Sequence, residues 1–275
     1  MEITAAMVKD LREKTGLPMM ECKTALQESG GDMTKAIEIL RKKGMAQLSK
    51  RAGRHTAEGR VLCYTDPASG RTAIVEVLCE TEPVANNADF QKLAQVAAQV
   101  AAKLEKPTAE AVLDQADPAD PSRKVSDILH DVVNRIRENI KIGRVACYSG
   151  EVGSYLHHDG KKGVLVKFSG TCPPEVKADV CMHVVAMRPP YARREEVSED
   201  VIAKEREVAQ EQVKGKPDNI VDKIVTGKIN KWFAEVVLLE QPFVKDDKKS
   251  VGQVLREVAP TLTVESMQRF EIGDE

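Results

Sequence analysis

Residues 60–104 decide the fold, and they read RVLCYTDPASGRTAIVEVLCETEPVANNADFQKLAQVAAQVAAKL. The two segments RVLCYTD and RTAIVEVLCE are typical of strands, and the turn PASG between them predicts a β-hairpin with Gly70 at its turn. The segment that follows carries apolar residues at helical spacing from Phe90 to Val100, which predicts an amphipathic helix. Its small Ala side chains allow close packing on a sheet, so residues 60–104 form one hairpin-plus-helix unit.

The same order of elements recurs about 90 residues further along the chain. VGSYLHHDGKKGVLVKFSG again predicts a strand, a turn with a glycine and a second strand, and PEVKADVCMHVVAM predicts a helix. Tyr155 and Gly160 of the second segment match Tyr64 and Gly70 of the first. The sequence therefore predicts an α+β fold with two related core units, at residues 60–143 and 144–275.

The first 44 residues predict a separate module of three short helices. Thr4 is placed to cap the first helix, Pro18 to begin the second and Asp32 to cap the third, which we expect to end at Gly44. Residues 45–59, MAQLSKRAGRHTAEG, are polar and locally basic and predict a linker.

A helical hairpin is predicted to interrupt the second core unit at residues 198–233. The segment is highly charged, and its two helices would join at Gly215-Lys216-Pro217. We expect the facing apolar residues to be Ile202, Val208, Val213, Ile220, Val221, Ile224 and Ile229. EVVLLEQPFV then predicts a strand, SVGQVLREVA a helix and VESMQRFEI a last strand.

Composition excludes several classes of protein. The 275 residues carry a net charge of −2 and only 4% aromatic residues, which argues against a general nucleic-acid binder. No apolar run approaches the roughly 20 residues of a membrane span, and the N-terminus shows no secretory signal. None of the six cysteines forms a CxxC pair. We therefore expect a cytoplasmic protein with reduced thiols and no membrane partner.

Motifs of catalysis or cofactor binding are missing from the sequence. It contains no phosphate-binding glycine loop, no nucleophile elbow and no pair of carboxylates in a plausible cleft. Cys181 and His183 could supply two metal ligands at most, so core packing explains them better than zinc. These observations favour a binding protein without a cofactor over an enzyme.

Four separated segments carry a resemblance to a known family: the N-terminal run from Thr4 to Gly44, then VEVLCETEPVANNADF, MHVVAMRPPY and QPFVKDDKKSVGQVLRE. In this order they resemble bacterial translation elongation factor Ts. The resemblance is collinear from Ile3 to Ile272. It implies a guanine-nucleotide exchange factor for elongation factor Tu, with a ubiquitin-associated-like N-terminal module, a two-part core and a protruding helical hairpin.

The resemblance also implies a partner-binding segment, which we call the 81–84 loop. The family's Thr-Asp-Phe-Val motif falls on Thr81, Glu82, Pro83 and Val84, so Pro83 replaces the aromatic residue that in the family enters the partner beside its magnesium and nucleotide site. The alternative is that these residues form only a strand-to-helix loop, with Pro83 fixing the backbone.

Five further residues are candidate contacts with elongation factor Tu: Leu11, Met19, Met20, Met182 and His183. Met19 and Met20 fit the module core equally well, because methionine adapts to either environment. An adaptor that binds ubiquitin-like or peptide partners through the N-terminal bundle is the alternative function, and an enzyme is a third. The sequence leaves open whether the chain forms a homodimer.

Overall fold

The computed structural model describes residues 2–214 and 218–274, with the backbone alone at residues 45–49 and 218–219. The helix joint expected at Gly215-Lys216-Pro217 lies outside these residues. The described part of the chain forms two units: Met1–Asp66, Ala73–Cys147 and Phe270–Glu275 in the first, and Pro67–Thr72 and Tyr148–Arg269 in the second. The α+β fold expected from the sequence is confirmed.

The first unit begins with three helices and continues with a sheet and further helices. Its helices are α1 Ala5–Thr15, α2 Met19–Glu28, α3 Met33–Arg51, α4 Glu82–Ala85, α5 Ala88–Ala101, α6 Ala109–Leu113 and α7 Val125–Ile136. Its strands are β1 Glu58–Thr65, β2 Thr72–Cys79 and β3 Lys141–Tyr148, in the order β1-β2-β3. β3 therefore runs across the boundary expected between residues 143 and 144.

The three N-terminal helices start where the sequence predicted. The Thr4 hydroxyl accepts a hydrogen bond from the Met7 N–H at 3.3 Å, and an Asp32 carboxylate oxygen accepts one from the Lys35 backbone N–H at 3.0 Å. Gly16 ends α1 with a left-handed φ of 70°. The helices enclose a small core of their own, formed by Val8, Leu11, Leu17, Cys22, Ala25, Leu26, Ala36 and Leu40.

The expected end of α3 at Gly44 is wrong, because the helix continues to Arg51 and takes up part of the expected linker. Gly44 is buried inside α3 where this helix packs on α7. A Cβ atom at residue 44 would lie 2.0 Å from Nδ2 of Asn134 on α7. The glycine therefore permits a close helix–helix contact rather than ending a helix.

The second unit repeats the hairpin-plus-helix arrangement. Its helices are α8 Pro174–Met187, α9 Glu199–Glu211, α10 Asp218–Val236 and α11 Val251–Val258. Its strands are β4 Val152–Leu156, β5 Lys162–Phe168, β6 Pro242–Phe243, β7 Asp246–Ser250 and β8 Val264–Glu271. One sheet has the order β4-β5-β8, and β6 pairs with β7.

The two predicted hairpin turns share the same special backbone conformation. Gly70 has a φ of 67° and Gly160 a φ of 66°, the left-handed region in which glycine is favoured. β4 and β5 pair in antiparallel register, with Tyr155 opposite Val164. α5 packs on β1 in the first unit, and α8 packs on β4 and β5 in the second. Both predicted hairpin-plus-helix units are therefore present.

The helical hairpin of α9 and α10 differs from the prediction in two details. Val208 and Ile220, expected to face inward, are 49% and 40% exposed. Ala209, the neighbour of Val208 on α9, is buried instead, so Val208 lies beside the apolar face and not on it, whereas Val213 is buried as expected. α10 also continues to Val236, where a strand was expected. Its last turns are helical because Phe233 packs in the hairpin core.

None of the helices within the described ranges is long and apolar enough to cross a membrane. No disulfide links any of the six cysteines, all of which lie in these ranges. In the described part of the chain, no group of three or more His, Cys, Asp or Glu side chains is arranged to hold a metal ion.

Candidate partner-binding site

The 81–84 loop forms one turn of helix, α4, between β2 and α5. Thr81 is extended, with φ −132° and ψ 152°, and occupies the N-cap of α4. Pro83 lies in the first turn, where its missing N–H would have no helical partner. Pro83 therefore supports the helical turn, as its fixed φ would suggest.

The side chains of this turn divide between solvent and the protein core. Thr81, Glu82 and Pro83 are exposed, whereas Val84 is half-buried and packs against the apolar core of the first unit. The surface available to a partner is thus formed mainly by a hydroxyl, a carboxylate and a small rigid ring. Val84 anchors the turn on its own protein and adds only part of its side chain to that surface.

A carboxylate from a distant part of the chain holds the start of the turn. Oε2 of Glu138 accepts hydrogen bonds from the Glu80 N–H at 3.1 Å and the Thr81 N–H at 3.0 Å, and its Oε1 accepts one from the Thr81 hydroxyl at 2.7 Å. The Thr81 hydroxyl makes no capping bond within α4. Sequence analysis missed Glu138, because 57 residues separate it from Thr81 and no local pattern marks such a contact.

The thiol of Cys79, immediately before the turn, is fully buried. Its Sγ donates a hydrogen bond to the Thr81 carbonyl at 3.3 Å. Burial, with a smaller effect from the negative charge of Glu138, raises the pKa of Cys79 to about 12. The thiol therefore stays neutral at physiological pH and acts as a hydrogen-bond donor that fixes the backbone.

The helical module exposes two of the three residues that the sequence singled out. Met19 and Met20, the first two residues of α2, are 45% and 69% exposed. They are therefore surface residues and not part of the module core. Leu11 has no exposed surface and packs inside that core, so it cannot contact a partner directly in this conformation.

Met20 and the 81–84 loop are both linked to the C-terminal end of α7. The Arg137 guanidinium forms an ion pair with Glu21, the neighbour of Met20 on α2, while Glu138 holds Thr81. Met20 also lines a cavity of about 240 Å³ between the module and α7. Two of the segments that the sequence proposed as partner contacts are thus held by neighbouring residues, Arg137 and Glu138, at the end of α7.

The remaining two residues, Met182 and His183, belong to α8 of the second unit. Met182 is half-buried and His183 is completely buried. The direct partner contact expected of His183 is therefore not available in this conformation. The ring stacks against Phe243, with the two centroids 5.9 Å apart.

Both ring nitrogens of His183 have hydrogen-bond partners. Nδ1 accepts from the Val244 N–H at 3.2 Å, so Nε2 carries the proton and donates to Oε1 of Gln241 at 2.9 Å. The Gln241 side chain in turn donates to the Glu235 carbonyl at 2.8 Å. Burial lowers the pKa of His183, so the ring is neutral and ties α8 to the segment that follows α10.

Comparisons with known proteins place the chain in a family. The family model described as Elongation factor TS matches residues 80–274. A protein named Elongation factor Ts from Aquifex aeolicus is 39% identical over 99% of both chains. Proteins of the same name from Methylococcus capsulatus and Clostridium perfringens are 42% and 40% identical, over 100% and 99% of this chain and 93% of each relative. On its sequence and on its fold, the chain belongs to the elongation factor Ts family.

Proposed function

We propose that this chain is the guanine-nucleotide exchange factor of elongation factor Tu, and that it promotes GDP release during translation elongation. The observation that carries the proposal is the full-length similarity to relatives named Elongation factor Ts. We further propose that it works in the cytoplasm, binds no nucleic acid directly and makes or breaks no covalent bond.

An exchange factor needs differential binding and no bond chemistry. If the chain binds nucleotide-free elongation factor Tu more tightly than the GDP-bound form, it lowers the affinity for GDP by the same factor, because the two equilibria are linked. Magnesium bridges the phosphates and the partner's side chains, so a change in its surroundings loosens the nucleotide. The chain therefore has only to present a surface that fits the altered site.

The 81–84 loop is the proposed surface for this step. Pro83 has a small ring where the family's motif has an aromatic residue, so it cannot fill a deep aromatic pocket. The contribution of this turn then comes from a rigid, exposed backbone together with the charge of Glu82 and the exposed part of Val84. A negative charge at this position would act on the groups around the partner's magnesium ion.

Affinity is proposed to come from a wider surface, to which Met19 and Met20 belong. Exposed methionines suit such a contact, because their flexible thioether side chains adapt to the shape of a partner. We assign Leu11 and His183 a supporting role: Leu11 fills the module core beneath α2, and His183 fixes the neighbourhood of Met182.

The proposal is tested by the affinity of the chain for two forms of elongation factor Tu. Isothermal titration should give a dissociation constant for the nucleotide-free form at least about fivefold lower than that for the GDP-bound form. Met20→Asp should weaken binding to both forms, whereas Val258→Asp, at an exposed apolar residue of α11 outside the proposed contacts, serves as the control. Equal affinity for the two forms would refute the exchange function.

A further inference from the structure

Residues 137–139, which directly follow α7, form what we call the α7 cap segment. Arg137 ends the helix in the left-handed conformation, with a φ of 69°, and its N–H donates to the Val133 carbonyl at 2.8 Å. This sharp turn lets Glu138 and Asn139 contact the corner between β2 and α4. The cap segment is thus placed beside the 81–84 loop by the backbone itself.

Glu138 uses both carboxylate oxygens on this corner. It accepts three hydrogen bonds, from two backbone N–H groups and the Thr81 hydroxyl, at 2.7 to 3.1 Å. Hydrogen bonds to an ionised carboxylate are about twice as strong as those between neutral groups. The two N–H groups belong to Glu80 and Thr81, the last residues before α4, so Glu138 determines the direction in which the helical turn leaves the sheet.

A second set of contacts closes the corner from the other side. Oε1 of Glu80 accepts a hydrogen bond from the Asn139 N–H at 2.6 Å and pairs with the Arg54 guanidinium at 3.3 Å. The Asn139 side-chain amide donates to the Arg54 carbonyl at 2.8 Å. Asn139 is buried, so these bonds are protected from competing water. The Glu80 carboxylate, just after β2, therefore binds the cap segment, and the Glu138 carboxylate of the cap segment binds the residues just after β2.

α4 needs such external support because it cannot hold its own position. It has four residues, far fewer than the roughly 12 at which an isolated helix becomes even marginally stable. Its N-cap side chain makes no capping bond, and only Val84 and Ala85 reach the core. The hydrogen bonds of Glu138 are thus a main determinant of where Glu82 and Pro83 lie.

We propose that Glu138 is a positioning residue for nucleotide exchange: it orients the 81–84 loop toward elongation factor Tu without contacting the nucleotide site itself. This role rests on the proposed function. A small displacement of a functional group can cost far more rate than binding affinity. Loss of Glu138 should therefore lower the exchange rate at saturating factor and leave the concentration needed for half-saturation nearly unchanged.

The test measures release of fluorescent GDP from elongation factor Tu over a range of factor concentrations. Glu138→Ala should lower the saturating rate about tenfold while the half-saturating concentration changes less than about threefold. Glu138→Gln keeps one oxygen acceptor and should recover part of the rate. The matched control is Asp114→Ala, which removes an exposed carboxylate that pairs with Lys124 in the same unit and should behave as wild type.

A double-mutant cycle and hydrogen exchange separate positioning from general loss of structure. Thr81→Val removes only the hydroxyl donor, and its effect should not add to that of Glu138→Ala if the two groups act together. The amides of Glu80 and Thr81 should lose protection in Glu138→Ala, while those of α5 keep theirs. Thr81→Val also provides a variant that leaves the rest of the network intact.

Each outcome decides between the two proposals. If Glu138→Ala and Thr81→Val accelerate GDP release as strongly as the wild-type chain, the positioning role alone is overturned. A rise in the half-saturating concentration at an unchanged saturating rate would also overturn it, because Glu138 would then contribute only affinity. No acceleration by the wild-type chain would overturn the proposed function, and the positioning role with it.

Discussion

Replacing Gly44 with alanine tests whether the helical module is held on α7 by close helix contact. In an exposed helix interior this change stabilises a protein by about 1 kcal/mol. Here the new Cβ would lie 2.0 Å from Nδ2 and 2.5 Å from Cγ of Asn134. Overpacking of this kind costs about 2 kcal/mol, so we expect a net loss of about 1 kcal/mol in the stability of the docked module.

A second substitution isolates the clash. In an Asn134→Ala background the obstructing atoms are gone, so Gly44→Ala should stabilise by about 1 kcal/mol, and the two changes should couple by about 2 kcal/mol. Hydrogen exchange of α3 amides measures the docked module directly, and urea unfolding measures the whole chain. Stabilisation by Gly44→Ala in the wild-type background would exclude a close contact between α3 and α7 at this residue, since the helix would then have room for a side chain.

Three further predictions concern the proposed site and its support. Pro83→Phe should fold normally, because the Pro83 side chain is exposed, and should speed GDP release, since it restores the aromatic residue of the family's motif; slower release in the kinetic assay would contradict this. Val84→Ala removes part of the packing beneath α4, so the free energy of unfolding should fall by about 1 kcal/mol and GDP release should be slower. An unchanged free energy of unfolding together with an unchanged release rate would exclude an anchoring role. Burial lowers the pKa of His183 below 6.5, so the unfolded chain binds more protons than the folded chain at low pH. The free energy of unfolding should therefore fall as the pH drops below 6.5, and should fall less in His183→Asn. An equal pH dependence in the two proteins would exclude His183 as its source.

The hairpin-plus-helix repeat could be predicted because its signals are local. Alternating strand residues, a glycine at each turn and a helical apolar face all lie within about 45 residues, and Gly70 and Gly160 adopt the left-handed conformation that such turns require. The caps at Thr4 and Asp32 could be predicted for the same reason, since the capping groups are sequence neighbours of the N–H groups that they bind.

The errors arose where distant contacts override a local signal. A glycine is typical of a helix end, yet Gly44 lies inside α3. It is a glycine because Asn134 of α7 occupies the space of a side chain. His183 looked available to a partner, but Gln241 and Val244 surround its ring. Glu138 could not be found at all, because its partner Thr81 is 57 residues away and an isolated glutamate carries no sequence pattern.

The proposed function requires that the chain accelerate GDP release from elongation factor Tu. Stopped-flow measurement with fluorescent GDP and a large excess of unlabelled nucleotide tests it most directly, with the chain present at a small fraction of the partner concentration. Every partner molecule should release its GDP in one fast phase, because each chain turns over many times. Release at the intrinsic rate, with folded chain at any concentration, would contradict it.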